Sequence, residues 1–135
     1  MDYSNIKALV VDDLDYIRSS LLSLLGDMGI TNIQEAEDGE IALEKILNEY
    51  ESGAPFQVIL CDVHMPNCDG ISLLEKIRSD KRVGSVPVLM VSSESDVSII
   101  KKLILMGADS YLLKPFTSDN LEKKIHSVLK VDHVA

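Results

Sequence analysis

Five times along the chain, a short apolar run gives way to a stretch with helical spacing, and this alternation constrains the fold more than any other feature. Strand-then-helix units with short connections make right-handed crossovers. These build a parallel sheet covered by helices on both faces. The runs Lys7–Val11, Val58–Cys61 and 87–91 are almost continuously apolar, as strands buried on both faces require. Asn32–Ala36 is more polar and suits a sheet edge, and 111–113 is the fifth run. Between them, Leu14, Ile17, Leu21, Leu24, Leu25 and Met28 recur three and four apart, one helix face that Gly29 can end. Asp38 can cap a second helix with Ala42, Leu43, Ile46 and Leu47 inward. Ile71, Leu74 and Ile77 line a third, 96–106 forms a fourth that stops at Gly107, and Leu121, Ile125, Val128 and Leu129 mark a fifth. The expected fold is α/β: a doubly wound five-stranded parallel sheet of order 2-1-3-4-5, forming one domain over 1–135, with a frayed tail after Lys130.

Composition narrows the function classes. The formal net charge is -9, from 22 Asp plus Glu against 13 Lys plus Arg. Such acidity disfavours nucleic-acid and anionic-membrane surfaces, which need clustered Lys and Arg. Two cysteines cannot staple a secreted scaffold, and no apolar run approaches the roughly 18 residues of a membrane span. The start has no basic segment leading into an apolar one, so a signal peptide is not expected. The expectation is a soluble, cytoplasmic protein that binds neither nucleic acid nor membrane.

Four of the five strands end in a polar group: Asp12 and Asp13, Asp62, Ser92, and Lys114. In an open parallel sheet, ligands bind outside the carboxyl ends of the strands where strand order reverses. For the order 2-1-3-4-5 that point lies between the first and third strands, which brings Asp12, Asp13 and Asp62 together. Carboxylate pairs about 4 Å apart repel by roughly 4 kcal/mol each at an effective dielectric near 20. Such a site must take up protons or bind a cation, and an oxygen-only donor set favours Mg²⁺ or Mn²⁺ over zinc. Lys114 adds a positive charge and Ser92 a hydroxyl, which together suit a phosphoryl group with one carboxylate as nucleophile.

These residues resemble a response-regulator receiver domain, of the CheY-like single-domain kind with a flavodoxin-like fold. The resemblance covers nearly the whole chain and rests on Val10-Val11-Asp12-Asp13, Asp62 with Met65-Pro66-Asn67 and Asp69-Gly70, Pro87-Val88-Leu89-Met90-Val91-Ser92, and Tyr111 with Lys114-Pro115-Phe116. It implies that Asp62 accepts a phosphoryl group from a histidine kinase or phosphotransfer protein. Asp13 would ligate Mg²⁺ directly, Asp12 through water, and the backbone carbonyl of His64 would be a further ligand. Ser92 would bond the phosphoryl oxygen, Lys114 would pair with the phosphate across a cis Lys114-Pro115 bond, and Tyr111 would move inward as Ser92 shifts. Only self-phosphorylation from a donor and autodephosphorylation are expected, not enzymatic turnover. His64 stands where chemotaxis regulators often carry Asn; its side chain is expected beside the phosphoryl group, where it would alter access of the hydrolytic water.

Rival readings are weaker. Cys61, His64 and Cys68 lack zinc-ribbon spacing, and Cys61 suits packing beneath the site. An aspartate-nucleophile phosphatase would carry a second Asp two residues after the nucleophile, where this chain has His64. A receiver excised from a larger regulator or hybrid kinase is the alternative within the family. In the fourth helix, Val97, Ile99, Ile100, Leu103, Ile104 and Met106 cover about half the circumference, more than the ~100° stripe a surface helix needs. Leu105 falls on the polar side. This excess predicts an output surface including Ile100 and Ile104, to which the resemblance adds Tyr111, for a downstream target protein or a phosphorylation-dependent dimer of an otherwise monomeric chain.

Overall fold

A computed structural model describes residues 2–131. In chain order the elements are β1 (Lys7–Val11), α1 (Asp15–Asp27), β2 (Asn32–Ala36), α2 (Gly39–Glu51), β3 (Val58–Cys61), α3 (Gly70–Ser79), β4 (Val88–Ser92), α4 (Val97–Leu105), β5 (Ser110–Leu113) and α5 (Ser118–Val131). All strand pairs are parallel, in the order β2-β1-β3-β4-β5. The expected fold class and strand order are both observed. Helix α5 runs on to Val131, so that residue is helical rather than frayed; the rest of the expected tail lies outside the described residues.

The continuous apolar runs are explained by two cores, one on each sheet face. Ala8, Val10, Val58, Leu60, Leu89 and Val91 join Leu21 and Leu25 of α1 and Leu121 and Ile125 of α5. Their strand neighbours Leu9, Val11, Ile59, Cys61, Val88 and Met90 point the other way, onto Ala42 and Ile46 of α2, Leu73, Leu74 and Ile77 of α3, and Leu103 of α4. The polar edge strand β2 leaves Asn32 and Glu35 exposed, as its composition predicts.

Local signals set the boundaries. Asp38, Asp69 and Asp96 cap α2, α3 and α4, each accepting a main-chain N–H of the first turn. Gly29 and Gly107 follow α1 and α4 with φ of 99° and 106°, a left-handed conformation that a side chain would strain. Arg78 at the end of α3 donates to the carbonyls of Gly84, Val86 and Gly107 and to Asp109, fastening the α3–β4 and α4–β5 connections together.

One expected core residue is displaced. Leu14 is not on the α1 face; it is extended, precedes the helix and is 43% exposed. Its N–H donates to Asp12 Oδ1 at 3.0 Å, so Asp12 holds Leu14 in the turn.

Candidate functional site

The parallel register brings the strand ends onto one rim. Val11 pairs with Cys61, so the residues that follow, Asp12 and Asp62, leave adjacent strands side by side. Carboxylate oxygens of Asp12, Asp13 and Asp62 all lie within 4.8 Å of one another. Asp12 is only 1% exposed and the Asp62 side chain 12%, whereas Asp13 faces solvent. Burial pushes the Asp12 carboxyl up, against the opposing pull of Lys114. The Lys114 ammonium reaches from the end of β5 to Asp12 Oδ2 at 2.8 Å and Asp62 Oδ2 at 3.4 Å. The peptide bond from Lys114 to Pro115 is cis, as expected.

Asp62 is held on its other side by Val63, whose N–H donates to Oδ1 at 2.7 Å. Behind it Gly70 is buried, and a Cβ there would lie 2.2 Å from the Asp62 carbonyl. Only glycine allows α3 to start this close to the acid. Cys61 packs beneath at 2% exposure, and burial pushes its thiol well up. It is an inert apolar floor rather than a metal ligand. The donors that converge are therefore carboxylates alone, a set that fits Mg²⁺ or Mn²⁺.

A model of the response regulator receiver domain matches residues 8–126. The chain belongs to the response-regulator receiver family. It is 35% identical over 126 residues to chemotaxis protein CheY-3 of Vibrio cholerae, covering 93% of this chain and 93% of the relative. It is 38% identical over 125 residues to chemotaxis protein CheY of Pseudomonas aeruginosa, covering 93% and 97%. Among solved structures, Vibrio cholerae CheY4 superposes with a TM-score of 0.80 at 32% identity, covering 92% of this chain and 98% of that one. The CheX–CheY–BeF3–Mg²⁺ complex from Borrelia burgdorferi gives 0.83 at 27% identity, covering 91% and 88%.

The remaining candidate residues are Ser92 and Tyr111 on the β4 and β5 side and His64 on the loop after β3. Ser92 is fully buried at the end of β4, and its Oγ accepts the N–H of Glu94 at 3.2 Å. Tyr111 is half-buried on β5, and its phenol donates to the Glu94 carbonyl at 2.7 Å. His64 is 65% exposed, and its ring Nε2 lies 2.8 Å from Glu94 Oε1. Glu94 was not singled out by sequence reasoning; its position two residues after Ser92 was the one available signal.

Helix α4 exposes apolar surface, though not entirely where expected. Ile104 is 45% exposed, and Val97 and Leu105 more so. Ile100 is half-buried, so it is less a surface residue than its place on the wheel suggested. Ile99, Leu103 and Met106 face the core, which turns Ile100 partly inward with them. Among the described residues no helix is long and apolar enough to cross a membrane.

Proposed function

We propose that this receiver is the phosphoacceptor switch of a two-component phosphorelay. A histidine kinase or phosphotransfer protein presents a phosphohistidine. An Asp62 carboxylate oxygen bonds to phosphorus, the P–N bond breaks, and the donor imidazole departs with the electron pair and takes a proton. Asp13 would hold Mg²⁺ directly and Asp12 through water, and Asp62 and the His64 backbone carbonyl would complete the protein's share; Mn²⁺ would suit the same donors. When bound, the cation offsets the repulsion between these carboxylates and the phosphoryl oxygens. Lys114 lies between Asp12 and Asp62, ready to follow the charge onto a phosphoryl oxygen. Ser92 Oγ accepts from Glu94, and its hydroxyl hydrogen can turn to donate to that group.

The observation that carries this reading is three carboxylates and one lysine on a single rim. The related Borrelia burgdorferi CheY holds BeF3 and Mg²⁺ and is bound by a second protein, CheX, which supports a phosphoryl ligand and a protein partner. Ser92 and Tyr111 then change the α4–β5–α5 surface, with Ile104 at its exposed part and Ile100 and Tyr111 at its half-buried edge, for a downstream target or a second copy. The chemotaxis relatives match over 93% of their own length or more, which supports reading residues 1–135 as one receiver domain.

The test is incubation with a small phosphodonor and Mg²⁺, read by intact mass. One phosphoryl group per chain is expected, and none on Asp62→Ala. A gain that survives the substitution overturns the assigned acceptor; steady turnover of a phosphomonoester would favour a phosphatase instead.

A further inference from the structure

Glu94 holds four elements of the site at once. Its side chain bridges to His64 on the loop after β3, with 2.8 Å between Nε2 and Oε1. Its other carboxylate oxygen accepts the N–H of Asp96 at 3.0 Å, the residue that caps α4. Its own N–H donates to Ser92 Oγ at 3.2 Å, and its carbonyl accepts the Tyr111 phenol at 2.7 Å. The main-chain bonds on which Ser92 and Tyr111 rest therefore belong to a residue whose side chain is anchored at both carboxylate oxygens.

His64 and Glu94 each lie two residues beyond a group that faces the phosphoryl position, Asp62 and Ser92. Strands β3 and β4 are adjacent and parallel, so the bridge closes a ring across their carboxyl ends. Any shift of Ser92 toward a phosphoryl oxygen must drag the Glu94 backbone. That strains the bridge to His64 and withdraws the carbonyl that holds Tyr111.

We propose that Glu94 is a positioning residue and that its bridge to His64 is a latch that favours the resting arrangement. The latch opposes the shift of Ser92 and Tyr111 on which the proposed switching depends, so it lowers the affinity of the site for a bound phosphoryl group. This inference rests on Asp62 as the acceptor. No charge change is needed, because a neutral imidazole Nε2–H donates to Glu94 as well.

Beryllium trifluoride with Mg²⁺ adds to an acceptor carboxylate reversibly, so its half-saturation reads the equilibrium directly. It is followed by amide NMR, which also reports whether each variant is folded. Cutting the latch in His64→Ala or Glu94→Ala should tighten half-saturation about fivefold, the lower end of ordinary coupling between sites. The double variant should be no tighter than the better single one, because both remove the same interaction. Glu94→Gln keeps one acceptor oxygen for His64 but loses the second for the Asp96 N–H, so it should tighten half-saturation less than Glu94→Ala does. Unchanged or weakened binding in both alanine variants overturns the latch, and so does additivity of the two. If the parent chain takes up no fluoroberyllate, or Asp62→Asn still does, the acceptor assignment falls first and the latch with it. Binding in the parent chain that is lost in Asp62→Asn but unaltered by the alanine variants overturns the latch alone.

Discussion

Lys114 Nζ stands 2.8 Å from Asp12 Oδ2 and 3.4 Å from Asp62 Oδ2, so one ammonium is shared between two acids that come from adjacent strands. One positive charge cannot neutralise three carboxylates, and the remainder is repulsion stored at the rim.

Mg²⁺ should therefore stabilise the fold as well as serve the chemistry. At a metal concentration tenfold above its Kd, mass action contributes about 1.4 kcal/mol, or a Tm rise of roughly 4–7 °C for a chain of this size. Asp13→Asn should raise the metal-free Tm slightly, by relief of about 1 kcal/mol at an exposed position, and abolish most of the Mg²⁺-induced rise. Thermal melts with and without Mg²⁺ check both. An undiminished rise in the variant would remove Asp13 from the metal site.

Asp38 supports the site at one remove. It accepts from the Ile41 N–H at 2.9 Å and from Asn67 Nδ2 at 2.8 Å, tying the start of α2 to the loop after Asp62. Asn67 sits there with φ of 65°. These bonds, the Ile41 one foremost, hold the Asp38 carboxyl below its ordinary value of 3.8. The unfolded chain thus binds this proton more tightly than the folded one. The stabilisation is complete above that ordinary value and fades as pH falls through the lowered one. Asp38→Ala should cost about 1–2 kcal/mol at pH 7 and less at pH 3, measured by urea unfolding.

Gly70 is a steric requirement of the acceptor's position. Its missing side chain leaves room for the Asp62 carbonyl, which a Cβ would meet at 2.2 Å. Gly70→Ala should destabilise by about 2–4 kcal/mol and slow phosphorylation of Asp62, because the clash is with backbone and cannot be rotated away. A variant as stable and as reactive as the parent chain would show that the loop after β3 shifts freely.

On α4, Leu105 is 88% exposed and Ile104 45%. Leu105→Lys and Ile104→Glu should weaken association with a target or a second copy at least tenfold, about 1.4 kcal/mol, while leaving phosphorylation unchanged. Ile100→Lys is a poorer probe, since Ile100 is half-buried and a lysine there also costs stability. Sedimentation of the phosphorylated chain reads self-association; loss of phosphorylation in the Leu105 variant would point to damaged folding instead.

Much of this was legible in the residues because the physics that writes it is periodic or positional. Buried parallel strands must be apolar throughout, so β1, β3 and β4 announce themselves, and the groups that end them lie on one rim by topology alone. Leu14 misled because its spacing matches α1 although its backbone precedes the helix. Ile100 misled because a wheel counts apolar positions without knowing which way the helix is rolled on the sheet. Glu94 was barely legible. Two of its four hydrogen bonds reach His64 and Tyr111, far away in sequence, and an acid after a strand is ordinarily a turn residue.

Arg78 gives α4 a mechanical asymmetry. Through the Gly107 carbonyl it clamps the turn that follows α4, with bonds of 3.0 Å and 2.9 Å from Nε and Nη2. At the other end the helix begins just beyond Glu94, among bonds that depend on the site. A nine-residue helix pinned at its tail and released at its head pivots rather than slides. Its free end sweeps the wider arc, so Val97 and its neighbours would travel farther than Leu105. A partner that grips the head of α4 would sense the site most strongly, while contacts at Ile104 and Leu105 would serve as its steadier anchor.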